Sequence, residues 1–366
     1  MTTPLYNQQI DRKIAWIGSD LNKEKISVDL GPRQLAALDE VFQRLAAKPM
    51  TEITRADTGH PDLDQFCADV LSEVQNGRGL VLVRGFPVDR YSMDDIQKLN
   101  WIISTQFGDL VPQNALGERL RLIQNEPRKT GEQSASGTKS KDDLAMHTDN
   151  AEVFVLTCVR QAMSGGETQF TNAMAIHNEM LKTRPDLLEI LYRGFPWHRR
   201  GEQRDDQPAI TPFNVPVFSN TDGYISVQIA FGSITSAALT MGRPLTALEN
   251  EALDYLRELT ERLQFEMRFA PGEIAVINNL TMFHGRSEYI DYPEPERKRV
   301  LLRVWLAAAR DRRPVAREIW YMERKNGGPG VDHVPGRTVA ANEYYGVPEA
   351  VNAAIREAQK RPKAKA

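Results

Sequence analysis

Apolar residues in the first hundred positions repeat at helical spacing. Pro32 suits a first helical turn, and Leu35, Leu38, Phe42 and Leu45 follow on one face. Over residues 61–76, Leu63, Phe66, Val70, Leu71 and Val74 form a second stripe that stops at Asn76-Gly77. GLVLVRGF, residues 79–86, is an apolar run bounded by glycines and reads as a buried strand. Ser92, with Asp95 three positions on, opens a third helix that ends near Phe107-Gly108.

Beyond that point the pattern shortens. RLRLIQ, VFVLTCV, ETQFTN, VPVFSN, YISVQI, QFEMRFA, EIAVINN and KRVLLRVWLAA read as strands separated by Gly, Pro, Asn and Asp clusters. A helical stretch near 173–192 interrupts them. So does TALENEALDYLRELTERL, where Thr246 and Glu249 fit a capping box. Many short strands with inserted helices predict a mainly β chain with flanking helices, its core a jelly roll. The whole of 1–366 reads as one catalytic domain, with the core over 79–310 and a C-terminal extension over 311–366. Residues 128–143 carry no apolar side chain that a core could hold. They are expected to form a mobile surface loop ending just before His147, either a lid over that position or an ordinary surface insertion.

Composition narrows the class. With 41% hydrophobic and 26% charged residues, and no apolar run of membrane-spanning length, the chain reads as a soluble globular protein. A net charge of -3 gives no electrostatic case for nucleic acid. The N-terminus has no signal-peptide pattern, so residence in the cytoplasm is expected. Cys67 and Cys158 lack CxxC spacing and read as buried thiols.

Three places carry chemistry. In LAMHTDNAEV, His147 and Asp149 are two apart, and residues i and i+2 of a strand share a face. His284, flanked by Phe283 and Gly285, follows the apolar run EIAVINN. Two histidines and a carboxylate make the facial triad of non-haem Fe(II) oxygenases, which leaves metal positions open. His60, His177, His198 and His333 have no such pairing. In ERKRVLLRVWLAAA, Arg299, Leu301, Arg303 and Trp305 share one face of a strand, and Val300, Leu302, Val304 and Leu306 share the other. A buried arginine needs a carboxylate, supplied by the protein as a salt bridge or by a ligand.

HTD at 147–149, SGGETQFTN at 164–172, NNLTMFHGRSEYIDYPEPERKRVLLRVWL at 278–306 and FGDLVPQN at 107–114 together resemble the TauD/TfdA superfamily of Fe(II)- and 2-oxoglutarate-dependent dioxygenases, related to clavaminate synthase-like enzymes. The resemblance implies a double-stranded β-helix core. It implies iron ligation by His147, Asp149 and His284, with Thr168 and Arg299 holding the distal carboxylate of 2-oxoglutarate. Arg303 matches a position that meets an acidic group of the substrate in several relatives. Gln113 falls near a substrate-contacting histidine of the taurine enzyme, and that change argues against taurine itself; Asn114 beside it joins the substrate set.

The implied reaction uses O2 and converts 2-oxoglutarate to succinate and CO2 while an unactivated C–H bond of a small acidic or amino-acid-like substrate is oxidised. With Asp149 present, hydroxylation or a related oxidation is expected rather than halogenation. A second reading is a metal-binding jelly roll without oxygenase activity, either a zinc hydrolase or a ligand-binding relic. Relatives are often oligomeric, which by analogy alone suggests a homo-oligomer.

Overall fold

The computed structural model describes residues 4–125, 141–310 and 312–337. The chain first runs through β1 (Ser27–Asp29), α1 (Pro32–Arg44), α2 (Pro61–Asn76), β2 (Leu80–Arg84), α3 (Met93–Thr105), β3 (Gly108–Val111) and β4 (Leu120–Ile123). Next come β5 (Leu144–His147), β6 (Val153–Arg160), β7 (Ser164–Gly165), β8 (Thr168–Asn172), α4 (Ala173–Thr183), α5 (Pro185–Arg193), β9 (Phe218–Thr221) and β10 (Tyr224–Val227). Then α6 (Phe231–Thr240), α7 (Ala247–Arg262), β11 (Phe265–Met267), β12 (Ile274–Asn278), β13 (Met282–Arg286), β14 (Tyr289–Ile290) and β15 (Val300–Ala308) follow.

The larger sheet has the order β1-β2-β12-β6-β15-β3, with β4 also paired to β15. Only β1–β2 is parallel within it. The smaller sheet, β11-β8-β13-β5, is antiparallel throughout. Strand alternation divides the side chains of each sheet between two cores. Leu82, Phe154, Leu156 and Leu301 of the larger sheet pack with Phe170 and Met282 of the smaller one, forming the layer between the sheets. The intervening positions Val83, Val155, Leu302 and Val304 pack outward against Leu38, Val41, Leu63 and Ile102 of α1–α3. On the far side, Met146 and Phe283 of the smaller sheet pack against α4, α5 and α7. Helices cover both outer faces, which explains why LVLVR and VFVLTCVR are apolar nearly throughout. The expectation of a mainly β chain is thereby corrected. Two facing sheets form the core, and seven α-helices among the described residues make the whole a mixed α/β structure.

The helix reading of 173–192 becomes two helices, because Pro185 disfavours helical backbone at Arg184, which sits at φ -145°, ψ 65°. The capping box at Thr246 and Glu249 forms, with Thr246 N–H donating to Glu249 Oε2 at 2.8 Å. The cysteines are free and buried, as expected. Of the loop expected over 128–143, residues 128–140 lie outside the described residues. Residues 141–143 are held at the sheet edge: Tyr289 N–H donates to Lys141 O at 3.1 Å and Glu288 N–H to Asp143 Oδ1 at 2.7 Å. The part of the C-terminal extension over 312–337 packs on the core through Ile319, Met322 and Val331. It is tied down where Gly330 N–H donates to Asn150 O at 2.7 Å and Asn150 Nδ2 donates to Gly330 O at 2.6 Å. No described helix is long and apolar enough to cross a membrane.

Candidate metal centre

β5 and β13 are neighbours in the smaller sheet, and their register sets His147 directly opposite His284. The imidazole centroids are 4.2 Å apart, and Phe154 covers His284 from the opposite sheet at 4.4 Å. β5 ends at His147, so Asp149 reaches the same point from the following loop and not from a shared strand face, which corrects the i, i+2 argument. Asn279 makes that placement. Its Oδ1 accepts from Asp149 N–H at 2.8 Å, while its Nδ2 donates to Asp149 O at 2.7 Å and to Ala151 O at 2.8 Å. Thr148 N–H, donating to Ile229 O at 2.9 Å, anchors the turn from the other side.

One ligand atom from each of His147, Asp149 and His284 lies within 4.8 Å of the other two. His147 Nε2 is 3.9 Å from Asp149 Oδ1, and His284 Nε2 is 3.7 Å from Asp149 Oδ2. His147 Nδ1 donates to Ala145 O at 2.9 Å, a tautomer that leaves the Nε2 lone pair free. Burial holds both histidines below their ordinary pKa, His284 well below and with His147 adding to the effect, so both are neutral at pH 7. Burial pushes Asp149 up, but the Arg303 guanidinium beside it, with the Trp305 N–H, outweighs burial and holds the carboxylate below its usual range. Two neutral imidazoles and an ionised carboxylate converging on one point suit a divalent transition metal. His147 keeps 19% side-chain exposure, so the cluster is not sealed from solvent.

A second cluster lies further along the same interior face. In the β8–β13 register, His284 is opposite Phe170 and Arg286 is opposite Thr168. Arg299, just before β15, is 2% exposed, yet its Nε and Nη1 have no hydrogen-bond partner among the described residues, and neither does the buried Thr168 Oγ1. Leaving such atoms unpaired is costly unless a ligand satisfies them. The guanidinium carbons of Arg286 and Arg299 lie 4.8 and 5.1 Å from the Tyr289 ring centroid. Burial, and then the neighbouring Arg299, lower Arg286 to about 10, so it remains a cation at neutral pH. The whole cluster is therefore positive and suits a carboxylate. Gly166 makes room for it: at φ +73°, a Cβ there would stand 3.3 Å from both Arg299 Nε and Tyr289 Cβ.

The three side chains expected to meet substrate have partners inside the protein. Arg303 Nη1 contacts Asp149 Oδ1 and Oδ2 at 3.1 and 3.2 Å, and its Nε donates to Gln113 Oε1 at 2.9 Å. Gln113 Nε2 donates to Arg303 O at 2.8 Å and to Arg119 O at 3.0 Å. Asn114 closes a turn, its Oδ1 accepting from Leu116 and Glu118 N–H and its Nδ2 donating to Glu118. The carboxylate that Arg303 requires is thus supplied by the protein, and each of the three side chains has partners within it.

Residues not singled out in the sequence complete the surroundings. Trp305 Nε1–H donates to Asp149 Oδ2 at 2.7 Å. Tyr321, from the C-terminal segment, packs tilted against Trp197 with ring centroids 4.7 Å apart, and burial, then the charge of Asp149, raise its phenol pKa. The four remaining histidines serve elsewhere or stand apart. His60 Nδ1 accepts from Asp62 N–H at the start of α2, His177 bonds Tyr192 OH at 3.0 Å, and His198 Nδ1 accepts from Arg200 N–H at 2.9 Å. His333 lies against Gly117.

A family model described as taurine catabolism dioxygenase TauD, TfdA family, matches residues 46–305. FR-33289 synthase of Streptomyces rubellomurinus is 26% identical over 248 residues, which span 66% of this chain and 73% of that protein. Asparagine oxygenase, solved in complex with Fe(II), 3-hydroxyasparagine and succinate, matches with a TM-score of 0.59 at 16% identity, over 77% of this chain and 93% of that one. The non-haem iron oxygenase OrfP, solved with Fe and alpha-ketoglutaric acid, gives a TM-score of 0.56 at 16% identity, over 76% of this chain and 93% of that one. With the family match covering most of its length and a His-Asp-His cluster inside a jelly-roll core, the chain belongs to the TauD/TfdA family of non-haem iron, 2-oxoglutarate-dependent dioxygenases.

Proposed function

We propose that His147, Asp149 and His284 hold Fe(II), that Thr168 and Arg299 receive the distal carboxylate of 2-oxoglutarate, and that the substrate is a small acidic or amino-acid-like molecule oxidised at an unactivated C–H bond. When bound, the metal and co-substrate supply oxidative chemistry in which O2 converts 2-oxoglutarate to succinate and CO2 as the substrate is oxidised. The observation that carries the reading is the orphaned pair, Arg299 and Thr168, whose buried donors await an acceptor on the interior face that also bears His284.

The protein's own residues bind, orient and enclose. Arg299 matches a carboxylate through its planar fork, and Thr168 adds a hydroxyl donor from the adjacent strand. Gly166 admits the co-substrate by having no side chain, and Tyr289 backs the guanidiniums with its ring face. Fixing the co-substrate at its far end orders the reacting end beside the triad. Asn279 holds the Asp149 loop so that all three ligands converge.

Support for an acidic substrate comes from Arg121, which the β4–β15 register sets directly opposite Arg303 on the interior face. Like charges directly opposite each other in a sheet are unfavourable unless each is compensated. Asp149 compensates Arg303, whereas the ion pair of Arg121 found among the described residues is the 3.4 Å contact with Glu118, with the buried Glu202 carboxyl also in its field. The 3-hydroxyasparagine in the asparagine oxygenase complex is an amino acid, which supports the amino-acid-like part of the reading. The reading is tested by succinate release across a panel of amino acids and small organic acids. Release that needs Fe(II), rises with one class of substrate and is lost in Arg299→Ala supports it; release unaffected by Arg299→Ala counts against it.

A further inference from the structure

We propose that Arg303 and Trp305 form a two-donor clamp that sets the orientation of the Asp149 carboxylate, and that Arg303 acts through Asp149 and not as an anchor for substrate. The inference rests on the reading of Asp149 as a metal ligand and goes beyond it by assigning the residues that aim the ligand.

The geometry is over-determined. Arg303 and Trp305 are two apart on β15 and therefore point to the same interior face. From there Trp305 Nε1–H reaches Asp149 Oδ2 at 2.7 Å, while one Arg303 nitrogen spans both oxygens at 3.1 and 3.2 Å. The guanidinium cannot swing away without breaking other bonds. Its Nε is held by Gln113 at 2.9 Å, Gln113 is held by the Arg303 and Arg119 carbonyls, and the cation lies 5.0 Å from the Trp305 ring centroid. Arg303, Gln113 and Asp149 are all nearly fully buried. A carboxylate offers about four lone-pair directions. The clamp occupies those on the β15 side and leaves the remainder facing His147 Nε2 and His284 Nε2.

Opposing requirements fall on the two clamp residues, which makes them separable. Trp305 contributes direction without charge, so its loss leaves Asp149 Oδ2 aimed by the longer Arg303 contact alone. Arg303 contributes direction and also a positive charge that competes with a metal cation for Asp149. As positioning residues, both act on metal geometry before any substrate is present.

The test uses Co(II) alone as the probe, titrated into the metal-free full-length protein by calorimetry with the visible d–d spectrum recorded in parallel. For Trp305→Phe, which keeps an apolar ring in place, Co(II) affinity is expected to fall by on the order of 10–100-fold, the usual cost of losing a partner behind a metal ligand, with an altered d–d spectrum. Arg303→Gln is expected to change the spectrum as well. A Trp305→Phe protein that shows wild-type folding by near-ultraviolet circular dichroism, wild-type affinity and an unchanged spectrum overturns the clamp, and Trp305→Phe alone decides if Arg303→Gln fails to fold. Asp149→Ala separates the two levels: undiminished Co(II) binding there removes the triad reading itself, whereas loss there with an intact Trp305→Phe removes only the clamp.

Discussion

His147 and His284 are a directly opposed pair on β5 and β13, with ring centroids 4.2 Å apart, and Asp149 closes the triangle from a loop. The sheet itself therefore fixes two of the three ligands relative to each other. Replacing either histidine removes a donor outright, so His147→Ala should lower Co(II) affinity by more than the ~100-fold upper range for supporting residues. Calorimetric titration of metal-free protein checks this; a smaller loss would place the metal elsewhere.

Gly166 should be required for 2-oxoglutarate and not for metal. An alanine there meets both a left-handed backbone, φ +73°, and contacts of 3.3 Å to Arg299 and Tyr289. Gly166→Ala is expected to weaken 2-oxoglutarate binding at least ~10-fold while Co(II) affinity stays within ~3-fold of wild type, a split that follows from displacement of the guanidinium alone. Equilibrium binding of each, measured separately, reads both.

Arg121 should separate substrate from co-substrate. If it holds the acidic group, Arg121→Gln loses a charge-assisted hydrogen bond, ~1.5–3 kcal/mol or roughly 10–150-fold in substrate KM. The 2-oxoglutarate KM should not move. Equal changes in the two constants would show that Arg121 supports the pocket in general.

Much of this centre is legible in the sequence because its parts lie in short contiguous motifs. Alternation along 299–306 assigns Val300, Leu302 and Val304 to one face and Arg303 and Trp305 to the other, as found. The carboxylate that Arg303 meets is 154 residues away, however, and local periodicity carries no such information. Asn279 was equally hidden, since its value lies in three hydrogen bonds to a loop 128–130 residues distant. α6, FGSITSAALT, escaped because small and β-branched residues give a weak helical signal, and β7 and β14 are two residues each, too short for any period to show.

Acid should destabilise the protein through histidines away from the site. Burial holds His177 and His198 at about 4, against 6.5 for the free side chain. Between those values the unfolded chain takes up protons that the folded chain does not. Stability is therefore full above about pH 6.5 and falls as pH drops towards 4, by ~3 kcal/mol per histidine at most. Urea midpoints at pH 7 and pH 4.5 should differ less in His177→Phe than in wild type; an identical difference would remove His177 from the account.

The most direct measurement is an anaerobic titration of the Fe(II)-loaded protein with 2-oxoglutarate, following the weak visible charge-transfer band of the chelate in wild type and Arg299→Ala. The account predicts a saturable band in wild type and a need for far more 2-oxoglutarate in the variant, because the distal carboxylate would have lost the buried Arg299 donors. Folded, iron-loaded wild type that develops no band, or a variant that titrates identically, would contradict it.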